Sequence, residues 1–261
     1  MVHAPSGVPG VRIADYWLHD ELPARSTEVA YRATHRVLPR SARIAILKSE
    51  HVGVRHAEIQ LMREACVVET LHHAGVPRVY ECGVLDRRPW VASEQIAGTS
   101  IEEVAAKRPL PIGEAIAVVR DAAAILAHAH RRGVIHGDLT PRSILRTAQR
   151  GFPVCITDWG SAALYGTALP RSDDPAGRFY RAPEVTGSDR GGSAADVFAL
   201  GAVMFEAATL VLPEPVQKFP GMPPAFHQLL ARMLAPAADD RPTADAVHAE
   251  AARLAELFSD A

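Results

Sequence analysis

The sequence has little of what marks several protein classes, beginning with cysteine. Its three cysteines, Cys66, Cys82 and Cys155, are scattered and too few for a disulfide framework or a cysteine-ligated metal site. The longest apolar run, from Val197 to Phe205, is too short to span a membrane, and no signal peptide is visible at the N-terminus. We therefore expect reduced, buried thiols, no membrane segment in this chain and a cytoplasmic location.

An excess of charge of one sign is also missing. Lysine and arginine number 28 and aspartate and glutamate number 30, so the net charge of −2 gives no reason to expect nucleic acid as a partner. The 12 histidines include the adjacent pair His72 and His73 and the pair His128 and His130, which raise the hypothesis of a metal site. No cysteine or carboxylate at ligand spacing accompanies them in the sequence, so we do not expect a histidine metal centre.

The order of the predicted elements divides the chain into two halves. In the first half, apolar runs predict short strands at 43–48, 76–84 and 90–96. Helical periodicity predicts one helix between them, at 57–72. The second half is mainly helical, with helices predicted at 114–132, 194–212 and 243–258. A mostly β half followed by a mostly α half predicts an α+β fold with two lobes and a hinge at 94–98.

Two acidic motifs in the second half carry the strongest chemical signal. Residues 136–143, HGDLTPRS, resemble the catalytic loop of protein kinases, H-R-D-L-x-x-x-N, and residues 158–160, DWG, resemble their D-F-G. On these motifs the chain is identified as a member of the protein kinase superfamily, similar to the bacterial Ser/Thr kinases. The resemblance implies that Asp138 is the base for a substrate hydroxyl and that Asp158 holds Mg²⁺ against the phosphates of ATP.

The resemblance also implies a domain organisation and an ATP site in the first half. The fold would be bilobal, with a small β-rich N-lobe at 1–97 and a larger, mainly helical C-lobe at 98–261. Residues 45–48, AILK, resemble V-A-I-K. The resemblance implies that Lys48 clamps the phosphates and that Glu64, on the following helix, orients it. In the hinge, Glu94 and Ile96 are implied to bind adenine through their backbone.

Motifs near the end of the chain separate protein kinases from a rival class. Residues 182–184, APE, match the family's A-P-E. Asp196 resembles the start of the helix that anchors the catalytic loop, and Arg241 resembles the arginine that pairs with Glu184. The triplet at 136–138, with Gly137 in place of the usual arginine, also resembles the phosphotransferases that modify aminoglycosides or choline. Those enzymes lack the A-P-E and Asp196/Arg241 pattern, so they remain the lesser alternative.

Several positions depart from the family pattern. The three glycines of the hairpin that covers the phosphates are replaced, by Pro23, Arg25 and Glu28. Glycine is needed there because backbone N–H groups must approach phosphate with no Cβ in the way, and Glu28 would repel a polyanion unless it turns aside. Ser143 replaces the asparagine that binds the second Mg²⁺. The family's coupled lysine and threonine are also missing, at Thr140 and Gly177.

The sequence therefore leaves two functions open. The surviving Lys48, Glu64, Asp138 and Asp158 predict a Ser/Thr-type protein kinase that uses ATP and Mg²⁺, with weak or specialised activity on a protein substrate. In that reading Asp158 and Ser143 are the metal ligands. The lost residues predict instead a pseudokinase, which would be a binding or allosteric module for a regulatory protein partner.

Overall fold

The computed structural model describes residues 11–24, 26–148, 150–164, 177–185, 192–212 and 221–259. The chain forms two compact units. The N-terminal unit comprises Met1–His72 and Pro77–Ile96, and the C-terminal unit comprises His73–Val76 and Ala97–Ala261.

An antiparallel sheet of six strands forms the N-terminal unit, in the order β1-β2-β3-β4-β6-β5. The strands are β1 (Arg12–Ile13), β2 (Tyr16–Leu22), β3 (Glu28–His35), β4 (Ser41–Leu47), β5 (Val79–Leu85) and β6 (Arg88–Glu94). The predicted helix is found as α1 (Arg55–Leu71) and packs against β4, β5 and β6. It ends where His72 turns to a left-handed φ of 43°.

Alternation along β4 sends neighbouring side chains to opposite faces of the sheet. Ile44 and Ile46 belong to one buried cluster, which includes Tyr16, Tyr31 and Trp90. Ala45 and Leu47 belong to the other cluster, which is packed against Ala57, Leu61 and Ala65 of α1. We call the face that carries Ala45 and Leu47 the α1 face.

The C-terminal unit is mainly helical. Its helices are α2 (Ile101–Ala105), α3 (Ile112–Arg131), α4 (Ser193–Thr209), α5 (Pro224–Met233) and α6 (Ala244–Ser259). Short strands are β7 (Thr99–Ser100), β8 (Val134–Ile135), β9 (Ile144–Arg146), β10 (Val154–Ile156) and β11 (Ala163–Leu164). Helix α3 packs against α6, α4 and β10. The predicted α+β class, with a β-rich first part and a helical second part, is confirmed.

Local chemistry explains where several helices begin. Ser100 and Glu103 form a reciprocal capping box at α2. The Thr243 hydroxyl accepts a hydrogen bond from the Ala246 amide at 3.2 Å and so caps α6. Pro224 is the first residue of α5, where its missing N–H costs nothing.

All three cysteines are free, but the expected burial is wrong for two of them. Cys66 and Cys82 are exposed and Cys155 is buried. Cys66 lies away from the buried residues of α1, and Cys82 lies on β5, an edge strand of the sheet. Among the residues described, no helix is long and apolar enough to cross a membrane.

Candidate active site

Asp196 organises the first half of the catalytic loop from the first turn of α4. Its carboxylate accepts hydrogen bonds from the backbone amides of His136 and Gly137, at 2.8 and 2.9 Å, and lies 2.8 Å from Nε2 of His130. Asp196 is only 1% exposed. Burial raises the pKa of its carboxyl group, but the hydrogen bonds from His130 and the Gly137 amide outweigh that and hold the pKa below its usual value.

The His136 imidazole joins the two acidic motifs. Its Nε2 lies 2.9 Å from the Thr157 carbonyl oxygen, and its Nδ1 accepts the Asp138 amide at 3.3 Å. The tautomer with hydrogen on Nε2 satisfies both contacts. The ring also packs edge-on against Trp159, with centroids 4.7 Å apart. His136 therefore ties the loop of Asp138 to the turn of Asp158.

Asp138 is half-buried and lines a pocket in the C-terminal unit. The pocket is also lined by Gly137, Tyr180, Ala182 and Val185, so the A-P-E segment forms part of its wall. A carboxylate beside such an opening can accept a proton from a hydroxyl group held there. The role of Asp138 as base remains a prediction.

Asp158 follows β10 and has a left-handed backbone, with φ 63° and ψ 42°. It precedes the 3₁₀ turn Trp159–Ser161, and its side chain does not cap that turn. A left-handed residue other than glycine is strained, which is typical of functional turns. The preceding residue, Thr157, donates its amide to the Ser143 carbonyl at 2.9 Å. The backbones of the two predicted metal-binding positions therefore lie in adjacent turns.

The Ser143 side chain is already used within its own loop. Its hydroxyl donates to the Thr140 carbonyl at 2.9 Å and accepts the Thr140 amide at 3.0 Å. Ser143 is also buried. Within the described part of the chain, no group of three or more histidine, cysteine or acidic residues is arranged to hold a metal ion. The metal roles of Ser143 and Asp158 remain predictions.

Arg241 and Glu184 form the predicted ion pair of the A-P-E motif. The guanidinium contacts both carboxylate oxygens, at 2.6 and 2.8 Å, and also donates to the carbonyls of Ala194, Ala235 and Pro236. The Arg241 side chain is fully buried, with 0% exposure. Hydrogen bonds from Arg241 lower the pKa of Glu184. This prediction from the motif is confirmed.

Lys48 lies one residue beyond β4 in the N-terminal unit. Its Nζ donates to the Ser26 carbonyl at 2.8 Å, and its amide donates to the Thr27 carbonyl at 3.0 Å. The residue that follows Ala45 on the α1 face is Leu47, which is buried. Lys48 therefore holds the start of β3, and its role in clamping phosphates remains a prediction.

The other predicted residues of the N-terminal unit lie on α1 and at the end of β6. Glu64 is half-buried on α1, and its ion pair with Lys48 remains a prediction. Glu94 makes two hydrogen bonds with the backbone of Arg78: its amide donates to the Arg78 carbonyl at 2.7 Å, and its side-chain carboxylate accepts from the Arg78 amide at 3.2 Å. Ile96 is buried. The adenine-binding roles of Glu94 and Ile96 remain predictions.

Glu28 has a partner that the motif comparison missed. Its carboxylate lies 3.0 Å from the Arg43 guanidinium, and the Glu28 side chain is only 3% exposed. The charge that would repel phosphate is thus turned onto the sheet. The alternation of side chains along a strand was the sequence signal for this contact, because it places Arg43 on the same face as Ala45. The replacement at Arg25 lies outside the described residues.

Comparisons with known proteins agree with these motifs. Residues 27–252 match the family model described as "Protein kinase domain". The chain is 29% identical over 204 residues to the serine/threonine-protein kinase PknJ of Mycobacterium tuberculosis, covering 77% of this chain and 35% of the relative. It is 30% identical over 189 residues to the serine/threonine-protein kinase PrkC of Bacillus subtilis, covering 70% and 28%.

The match extends over most of the chain, which therefore belongs to the protein kinase family. The predicted similarity to bacterial Ser/Thr kinases is confirmed by these relatives. The chain spans about a third of the length of the relatives described. Members of the family generally transfer phosphate from ATP with Mg²⁺ to protein hydroxyl groups.

Proposed function

We propose that this domain is a pseudokinase, a kinase-fold module that acts by binding a regulatory protein partner rather than by phosphoryl transfer at an ordinary rate. The observation that carries the proposal is the position of Leu47. Leu47 follows Ala45 on the α1 face, and we infer that this is the position at which a catalytic kinase needs its lysine.

The argument rests on the two-residue period of a strand. In V-A-I-K, alanine and lysine are two residues apart, so a strand presents both on one face. Ala45 is followed two residues later by Leu47, while Lys48 is one step out of phase. A shift of one residue sends a side chain to the opposite face. Residues 44–47, IAIL, are therefore the better counterpart of the motif, and leucine cannot clamp a phosphate.

The other positions that would meet ATP and its metal support the same conclusion. Glu28 brings a carboxylate where glycine amides are needed, and that carboxylate is bound to Arg43. Ser143 uses its hydroxyl to close its own loop. We infer that the described residues do not fit Mg·ATP in the arrangement that the motifs imply.

A second candidate is slow phosphoryl transfer by a Ser/Thr-type kinase. It is favoured by Asp138, which lines a pocket and is held by the network of His136 and Asp196. Removing one preorganised group from an active site costs on the order of 10²-fold in rate. Weak transfer with Asp138 as base and Asp158 holding Mg²⁺ would survive only if another cation replaced the missing lysine. The Arg241–Glu184 pair favours either candidate over a small-molecule phosphotransferase.

The test is transfer of labelled γ-phosphate from Mg·ATP to the protein itself and to a generic basic protein. Asp138→Asn is the matched control, because it keeps the side-chain shape and removes the base. We expect no signal above that of the variant. Transfer that disappears in Asp138→Asn would overturn the pseudokinase proposal and support the second candidate.

A further inference from the structure

The Arg43–Glu28 ion pair crosses the α1 face of the sheet. In the register of β3 and β4, Glu28 lies opposite Leu47, Ala30 opposite Ala45, and Arg32 opposite Arg43. Side chains of paired residues lie on the same face of a sheet. Arg43 and Glu28 therefore approach each other from either side of the Ala30–Ala45 pair.

The separation along the strands decides where the two side chains meet. At about 3.3 Å per residue, the four steps from Arg43 to Leu47 span roughly 13 Å. A contact of 3.0 Å between the guanidinium and the Glu28 carboxylate thus requires an arginine extended along the sheet. The small side chains of Ala30 and Ala45 leave room for it. The pair is withdrawn from water, since the Arg43 side chain is 24% exposed and that of Glu28 is 3% exposed.

The two ends of this ion pair lie beside segments with different implied roles. Arg43 is paired across the sheet with Ser93, which precedes the predicted adenine-binding residue Glu94. Glu28 is the first residue of β3 and is aligned with the last glycine of the phosphate-covering hairpin. On the α1 face, the ion pair therefore extends from the segment predicted to bind adenine to the segment aligned with the phosphate-covering hairpin.

We propose that the Arg43–Glu28 ion pair takes the place of a nucleotide on the α1 face, so that the wild-type domain binds neither ATP nor ADP. The inference concerns the site of the proposed function and deepens it, because a pseudokinase can still bind nucleotide. Binding here would break the ion pair between the Arg43 guanidinium and the buried Glu28 carboxylate, which is unfavourable. The negative charge of Glu28 would then repel the phosphates.

The test measures thermal stability and binding heat with ATP and with ADP, each with and without Mg²⁺. Three proteins are compared: wild type, Arg43→Ala/Glu28→Gly and Arg43→Met/Glu28→Gln. The first double variant removes both long side chains from the α1 face and restores glycine at the hairpin position of Glu28. The second removes the charges but keeps the volume, so it separates blocking by bulk from blocking by charge.

We expect no change for wild type at about 1 mM nucleotide, and a rise in Tm of roughly 3 °C or more for Arg43→Ala/Glu28→Gly. Arg43→Met/Glu28→Gln should show part of that rise, because nucleotide no longer has to break a buried ion pair, whereas no rise would show that the bulk of the two side chains alone blocks the site. A folded Arg43→Ala/Glu28→Gly variant that gains no binding would overturn the role of the ion pair. If that variant does not fold, the wild-type titration decides alone: saturable binding below about 0.1 mM sinks the inference.

This outcome is distinct from failure of the proposed function. Nucleotide binding by wild type without phosphate transfer would overturn the ion-pair inference and leave the pseudokinase proposal standing. Transfer that depends on Asp138 would overturn the pseudokinase proposal itself.

Discussion

The two units of the molecule keep different kinds of charged residue. In the C-terminal unit, Asp196 binds two backbone amides and Arg241 binds Glu184 and three carbonyls. In the N-terminal unit, Leu47 is buried on the α1 face, and the Glu28 carboxylate is paired with Arg43. The charged residues of the C-terminal unit stabilise the fold itself. The positions in the N-terminal unit are aligned with residues that a kinase needs only to bind its nucleotide.

This difference separates signals of fold from signals of activity. The A-P-E glutamate and its arginine stabilise this fold directly, because losing Arg241 would leave the Glu184 carboxylate without its ion pair. Glycines and an asparagine that contact only nucleotide or its metal have no such constraint, and here Pro23, Arg25, Glu28 and Ser143 stand in their places. Motifs of the first kind therefore identify the family but say little about turnover.

Removing the Arg241 guanidinium should have the largest effect on stability. Arg241→Met would strand the Glu184 carboxylate and the three carbonyls that Arg241 now binds. We expect a loss of about 3–5 kcal/mol in the free energy of unfolding, measured by urea denaturation. Arg253→Met is the matched control, since Arg253 is exposed on α6, and it should change stability by less than about 0.5 kcal/mol.

The same variant should change the response to acid. The pKa of Glu184 is lowered in the folded state by hydrogen bonds from Arg241. The stability from this pair is therefore fully present above the unfolded pKa of about 4.3, and is lost as pH falls through the folded pKa. Arg241→Met should lose the Glu184 part of that dependence. Equal acid sensitivity in wild type and variant would contradict the assignment.

In the N-terminal unit, two neighbouring truncations test the face assignment. Leu47→Ala removes a buried side chain that packs on α1 and should cost about 2–4 kcal/mol. Lys48→Ala removes a partly exposed side chain with one hydrogen bond to Ser26 and should cost less than about 1 kcal/mol. Chemical denaturation of both variants measures the difference. Equal costs, or a larger cost at Lys48, would mean that the lysine is the inward residue.

Sequence patterns predicted the elements better than the side-chain directions. The helix over 57–72 is found at Arg55–Leu71, because its apolar spacing is helical over the whole length. Alignment by residue type favoured 45–48 as the counterpart of V-A-I-K, since those four residues include the lysine. The strand pairing favours 44–47 because it fixes which residues face α1. Two frames one residue apart have almost the same composition, so only the register distinguishes them.

The candidate site divides in the same way. The Asp196 contacts follow from a motif whose partners are near one another in the fold, and the sequence predicted the anchoring role. The Arg43–Glu28 pair joins two strands across four steps of register, and no local pattern encodes it. Its prediction would have required the strand pairing and the small residues between the two charges, neither of which a motif contains.

The smallest expected effect concerns His73 in the C-terminal unit. It tests whether a titrating residue other than Asp196 and Glu184 contributes to the pH dependence of stability. Burial, with help from His128 and nearby arginines, lowers the pKa of His73. A lowered folded pKa means that the stability is present above the unfolded value of about 6.5 and is lost as pH falls through the folded pKa. His73→Asn keeps an acceptor for the Gly75 amide but does not titrate. Between pH 7 and pH 5, wild type should lose more stability than His73→Asn, by less than about 1 kcal/mol because the ring is only partly buried. Urea denaturation at both pH values measures this, and parallel losses in the two proteins would show that His73 is not the titrating group.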